Sequence, residues 1–277
     1  MFMRVNSKCA HKLRPPLALV GTLAAGVKSL PSRRGLPDEP IVPGSRRRKL
    51  RGEMTATVNG VRLSYSDMGH GIPLVCLHGG MGVDAASVRV PGILDLAQLG
   101  IRLVIPDQRG HGDSERTTQS DYSHSVWTAD VHDLAESLGL RKFALFGHSY
   151  GGFLALEYAT RWPESLSHLI LVATSAGPVS AQAAAVVTDA DLREHFRSVW
   201  PRFFVGDDKH WPLFESLQFS VDAYKAAFAR ELPNYDFRRT RCPTRDPHAA
   251  HRRTERSVPT PHGVARGSSP TVHALYA

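Results

Sequence analysis

From Met54 onward the chain is patterned, and before that residue it is not. Thr55 to Tyr65 holds two β-rich runs either side of Asn59-Gly60, which predicts a tight hairpin. Pro73–Leu77, Arg102–Pro106, the run from Lys142 to Gly147 and His168–Thr174 are short and predominantly apolar, as strands buried on both faces are. Between them the period changes. Ile93–Leu99 fits a short helix, Trp127, Val131, Leu134 and Leu138 recur at helical spacing over Ser125–Leu138, and Phe153, Leu156, Ala159 and Trp162 line one side of a further helix. Apolar strands alternating with helices predict an α/β fold: a mostly parallel sheet covered on both faces.

Residues 177–232 are helical without strands. Leu192, Phe196 and Val199 form one face that ends before Pro201, while Val221, Tyr224, Phe228 and Leu232 form another that Ser220 would cap and Pro233 would stop. An all-helical insertion after the fourth apolar strand, the one that follows the elbow helix, reads as a lid over a pocket. The predicted organisation is an N-terminal extension (1–53), a core (54–176), a helical lid (177–232) and an irregular, disordered tail (233–277).

Charge changes the picture only when it is divided by region. The formal +8 belongs to the ends: residues 1–53 carry 12 Lys/Arg against 3 acids and residues 236–277 carry 8 against 3, whereas 54–235 carries 14 against 20. The patterned part is therefore net acidic, and no nucleic-acid partner is expected. Cys9, Cys76 and Cys242 are far apart and lack metal-ligand spacing, so neither a disulfide framework nor a metal site is expected. Leu17–Val27 is apolar but shorter than the roughly 20 residues that span a bilayer. Two readings of 1–53 remain open, upstream sequence before a start at Met54 or a signal or transit segment. The first places the protein in the cytoplasm, the second in an organelle or outside the cell.

Chemistry concentrates in Gly147-His148-Ser149-Tyr150-Gly151, where the apolar run stops and a helical pattern begins at once. A strand turning into a helix within five residues strains the central serine and lifts its hydroxyl above the sheet edge, and glycines two residues either side leave room for the close backbones. His78-Gly79-Gly80-Met81-Gly82 follows the first buried strand, and Asp107-Gln108-Arg109-Gly110-His111-Gly112-Asp113-Ser114 follows the next.

With those three motifs in that order, residues 54–244 resemble the α/β-hydrolases, and within them the proline iminopeptidase-like aminopeptidases and esterases. Two positions depart from that group's pattern: Met81 stands where a proline is usual, and Tyr150 where a tryptophan often follows the serine. The resemblance implies a serine hydrolase acting on a small ester or amide, with Ser149 as nucleophile, the N–H groups of Gly80 and Tyr150 as the oxyanion hole, no cofactor and no membrane partner. It gives His78 the task of bracing the oxyanion loop, and leaves His148, Asp107 and Asp113 structural. Acids of the lid, Glu194, Asp207, Asp208 and Glu215, are candidates for binding a substrate amine.

The resemblance fails where the acid and base should be. A serine needs a histidine to take its proton and an acid to orient that histidine, and in this fold both follow the last strands. Cys242-Pro243-Thr244 is followed by Arg245-Asp246-Pro247-His248, and from Asp236 onward there is a single Leu and no Ile, Met or Trp. The last two strands are therefore expected to be absent. Three readings stay open: an out-of-frame tail on a truncated hydrolase, a disordered tail on a binding or scaffold protein that has lost catalysis, or an unusual triad using Asp246 with His248, His251, His262 or His273.

Overall fold

The computed structural model describes residues 53–179, 183–203, 210–237 and 271–275, all within the unit Lys49–Ala277. The expected N-terminal extension lies outside the described residues, apart from its last one, Glu53. Among the described residues seven strands form one sheet in the order β1-β2-β4-β3-β5-β6-β7: β1 (Glu53–Val58), β2 (Val61–Met68), β3 (Ile72–Leu77), β4 (Ile101–Pro106), β5 (Phe143–His148), β6 (Leu166–Val172) and β7 (Thr271–Leu275). Only β2 runs against the others. The β1–β2 hairpin turns at Asn59 and Gly60, both at positive φ (48° and 75°), the conformation that makes Asn-Gly the preferred hairpin pair.

The longer helices α2 (His124–Ser137), α3 (Tyr150–Arg161) and α4 (Asp189–Val199) follow a single short turn, α1 (Pro91–Leu94). The predicted stripe of α2 is buried, with Trp127, Val131 and Leu134 in the same core cluster as Phe153 and Leu156 of α3. Strands β3 and β5 supply Val75, Leu77, Phe143 and Leu145 to that cluster, so the central strands and both helices bury one another. A second cluster belongs to the helical segment after β6, where a lid was expected, and joins Leu192, Trp200, Phe214, Phe219 and Tyr224 to Val83 and Ala86.

Three expectations need correction. A seventh strand exists where the tail was expected to be irregular: β7 pairs in parallel with β6 from His168↔Thr271 to Val172↔Leu275. The partner edge of β6 supplies the ladder hydrogen bonds, which do not depend on side chains, so a five-residue strand needs no alternating run of its own. Ser220 precedes the helix Val221–Lys225 but its side chain makes no cap bond; the Val221 N–H goes instead to Asp189 Oδ1 at 2.7 Å. That helix does not run on as one α-helix either. It passes into a π-turn at Ala226–Glu231 and a 3₁₀ turn at Leu232–Asn234, where Pro233 removes a backbone donor.

Candidate active site

Ser149 sits between β5 and α3 at φ 50°, ψ −116°. A non-glycine residue in the left-handed region costs about 1–3 kcal/mol and persists only where its surroundings enforce it. Here the Ser149 N–H donates to the Val172 carbonyl of β6 at 2.8 Å, and its own carbonyl accepts from Gly152 at 3.0 Å. The flanking glycines are needed for space, as the sequence implied. A Cβ on Gly147 would lie 2.5 Å from the Gly151 carbonyl oxygen, and one on Gly151 would overlap the carbonyl oxygens of Leu77 and His78. Ser149 is half-buried.

The loop after β3 passes directly beside this turn. A Cβ on Gly79 would fall 2.7 Å from both the Ser149 Cβ and the His148 carbonyl oxygen, and Gly80 has φ 59°, a turn that glycine adopts without strain. The Gly80 carbonyl accepts from Val83, which closes the turn.

Two buried histidines stitch this loop to the one after β4. His78 Nε2 accepts the Gln108 N–H at 3.2 Å and its Nδ1 donates to the Gly79 carbonyl at 3.1 Å. His111 Nε2 accepts the Gly82 N–H at 3.0 Å and its Nδ1 faces the carbonyls of Arg109 and Gln108. An Nε2 that accepts must be unprotonated, and burial enforces this: it lowers His78 well below the usual imidazole range and His111 to about 4. Asp107 accepts from Ala85 N–H at 2.9 Å and from Asp113 N–H at 3.3 Å, with Arg89 at 3.4 Å. Both His78 and Asp107 thus hold backbone, as the sequence suggested. Asp113 Oδ1 accepts from the Gln218 side chain, in the helical segment after β6, at 3.1 Å.

Sequence reasoning missed two buried polar groups, one an ion pair and one centred on a histidine. Arg109 forms a two-pronged pair with Asp130 of α2 (2.8 and 2.7 Å), and Asn59 of the hairpin donates to the same carboxylate at 3.0 Å. His124, at the start of α2, holds the Tyr150 hydroxyl through Nε2 at 2.7 Å, with Glu157 and Glu231 carboxylates 3.6 and 4.0 Å from its Nδ1. Their partners lie between 21 and 107 residues away in sequence, so no local pattern announces them.

Among the described residues, no histidine hydrogen-bonds the Ser149 hydroxyl. His148 is half-buried, and its Nδ1 is enclosed with no partner. Asp246, His248, His251 and His262 lie outside the described residues. His273 lies within β7, level with Ile170 and hence with Phe146. That register is three residues short of Ser149, about 10 Å down the strand direction, and not on a loop beyond the strand end.

Of the lid acids, Glu215 is already matched by Arg193 and by Arg197 at 2.8 Å, and Glu194 lies 3.7 Å from Arg197. Two guanidiniums on Glu215 leave it little charge for a substrate amine; Asp207 and Asp208 lie outside the described residues. The described groups nearest to metal-ligand spacing are His132, Asp133 and Glu136, within 4.8 Å of one another on α2. His132 is otherwise engaged, stacked on Trp162 at 4.3 Å with Nδ1 3.2 Å from the Tyr158 hydroxyl. The buried Cys76 thiol is pushed up to about 12 by desolvation, so it is not a nucleophile. No helix of the described residues is long and apolar enough to cross a membrane.

Comparison with known proteins matches residues 72–268 to the family described as alpha/beta hydrolase fold. The 2-hydroxymuconate semialdehyde hydrolase of Pseudomonas sp. (strain CF600) is 34% identical over 117 residues, 42% of this chain and 41% of that one. The putative 2-succinyl-6-hydroxy-2,4-cyclohexadiene-1-carboxylate synthase of Bacillus subtilis (strain 168) is 31% identical over 173 residues, 60% of this chain and 62% of its own. Among solved structures, the epoxide hydrolase CorEH is similar at 26% identity, with a TM-score of 0.42, over 58% of this chain and 53% of that chain. The chain spans about two fifths of the length of the first of these relatives.

Proposed function

Because this chain belongs to the α/β-hydrolase family, we propose that it is a serine hydrolase that cleaves a small ester or amide through an acyl-enzyme on Ser149. The observation that carries this reading is the strained Ser149 backbone, held between strand and helix by glycines that admit no side chain. Ser149 Oγ attacks the substrate carbonyl carbon, and the carbonyl oxygen takes up the negative charge. The Tyr150 N–H opens α3 and has no carbonyl of its own helix to bind. The Gly80 N–H lies on the loop beside the serine. These two donors stabilise the oxyanion, and losing one such donor costs about 100- to 1,000-fold in kcat.

A proline iminopeptidase-type aminopeptidase activity draws support from the spelling of the motifs alone. Against it stand the relatives reported above, named as a semialdehyde hydrolase and a putative synthase, and the pairing of Glu215 with two arginines. A small-molecule substrate and a cytoplasmic setting belong to the same proposal. One observation favours a second reading, a binding protein that keeps the fold without catalysis: no described histidine reaches the Ser149 hydroxyl. A fluorophosphonate probe separates the two. Labelling that disappears in Ser149→Ala, with Ser149-dependent hydrolysis of p-nitrophenyl acetate, is expected; a folded protein that takes no label is the binding protein.

A further inference from the structure

Tyr150 presents two groups to two different places. Its N–H is one of the oxyanion donors assigned above, and its side chain, 2% exposed, fills the seam between α2, α3 and residues 226–235. There the hydroxyl meets His124 Nε2 at 2.7 Å. His124 is fixed from the lid side, because Glu231 Oε2 accepts its backbone N–H at 3.1 Å and thereby caps the start of α2. Tyr235 packs edge-on to the same imidazole at 5.8 Å and against Phe153 at 4.6 Å, and Arg230 donates to the Tyr122 carbonyl at 2.5 Å.

The proton positions follow from the charges around the ring. Glu157 and Glu231 both face Nδ1, so the proton of the neutral imidazole is favoured there, leaving Nε2 to accept from the Tyr150 hydroxyl. Arg161 lies 3.7 Å from Glu157 and also donates to the Ser125 carbonyl and to Thr128 of α2. Burial keeps Tyr150 protonated, raising it well above the usual phenol range, with Glu231 and Glu157 adding to the rise. The hydroxyl therefore keeps its proton, and with the imidazole proton on Nδ1 it donates that proton to His124 Nε2.

We propose that His124 is a positioning residue that ties the docking of residues 226–235, the end of the lid and the three residues after it, to the placement of the Tyr150 N–H; this rests on the oxyanion role assigned above. Tyr150 is the first residue of α3, and a side chain pinned at its far end limits the rotation of the helix's first turn. The pin belongs to the lid as much as to the core, since Glu231 orients the histidine. Lid docking and oxyanion geometry are thus set together.

The test uses the full-length chain with Tyr150→Phe, His124→Leu, His124→Gln and Glu231→Gln. Two quantities are read: the rate of Ser149 labelling by a fluorophosphonate, and amide hydrogen exchange at 150–153 and 226–235. Tyr150→Phe and His124→Leu should each slow labelling roughly 5-fold, the scale of one buried hydrogen bond, and the double variant should be no slower. His124→Gln, whose amide can reach the phenol, should recover most of the rate. Glu231→Gln should speed exchange in both segments together. Wild-type labelling rates in Tyr150→Phe, with exchange at 150–153 unchanged, overturn the proposal. Should His124→Leu not fold, Tyr150→Phe removes one oxygen and carries the test. If Ser149 takes no label even in the wild type, the proposed function falls and exchange decides the tie alone. A change confined to 226–235 in Glu231→Gln then refutes it, and a joint change upholds it.

Discussion

On one side of β5, strands β3 and β4 end in loops joined by His78, His111 and Asp107, every one of them buried and bonded to backbone. On the other side β6 ends in residues 173–188, a stretch without a single ionisable side chain. The difference separates two requirements of serine chemistry. Placing a nucleophile and backbone donors needs rigid loops, and the β3–β4 side supplies them. Moving a proton needs an acid and a base beyond the strand ends, and the described residues on the β6–β7 side offer neither.

The largest effect expected on this contrast comes from pH. Burial pushes His111 and His124 down to about 4 and lowers His78 well below the usual imidazole range, although for His124 the two facing carboxylates pull the other way. In the unfolded chain each takes up a proton near 6.5, so between about 6.5 and 4 the unfolded state binds more protons. Stability must then fall as pH drops through that window, by at most about 1.4 kcal/mol per pH unit for each histidine, and these groups give no dependence above about pH 7.5. Urea unfolding from pH 8 to 4.5 measures the slope. A flat profile would mean that the histidines are not buried neutral and that the β3–β4 side is not rigid in the way described.

Gly151→Ala should come next. A methyl there overlaps backbone carbonyls of β3 and its loop, which cannot swing aside as a side chain can. A loss of about 3 kcal/mol or more in stability is expected, with loss of Ser149 labelling. A variant that melts like the wild type would show that the elbow is looser than its glycines imply.

A smaller effect tests the opposite side. Ending the chain at Pro270 removes β7 and bares the β6 edge, whose unpaired N–H and C=O groups can recruit other chains. About 2 kcal/mol of stability should go with the lost backbone hydrogen bonds, together with concentration-dependent aggregation in light scattering. Equal melting temperatures and a monomeric shortened chain would show that β7 contributes nothing to the sheet.

By itself the sequence determined whatever depends on neighbours within a few residues. Asn59-Gly60 turns the hairpin because both residues tolerate positive φ. Trp127, Val131 and Leu134 bury α2 because their spacing matches its turn. Gly147 and Gly151 mark the elbow because two backbones meet there. Tertiary structure alone decided the rest. β7 exists because the β6 edge offers hydrogen bonds that no composition of the tail could signal. Asp189, 32 residues away, serves the Val221 N–H at the start of the helix that Ser220 was expected to cap. Arg109 finds Asp130, and Glu231 finds His124 from 107 residues away, because burying a charge or a helix end requires a partner, and the fold rather than the sequence brings that partner near.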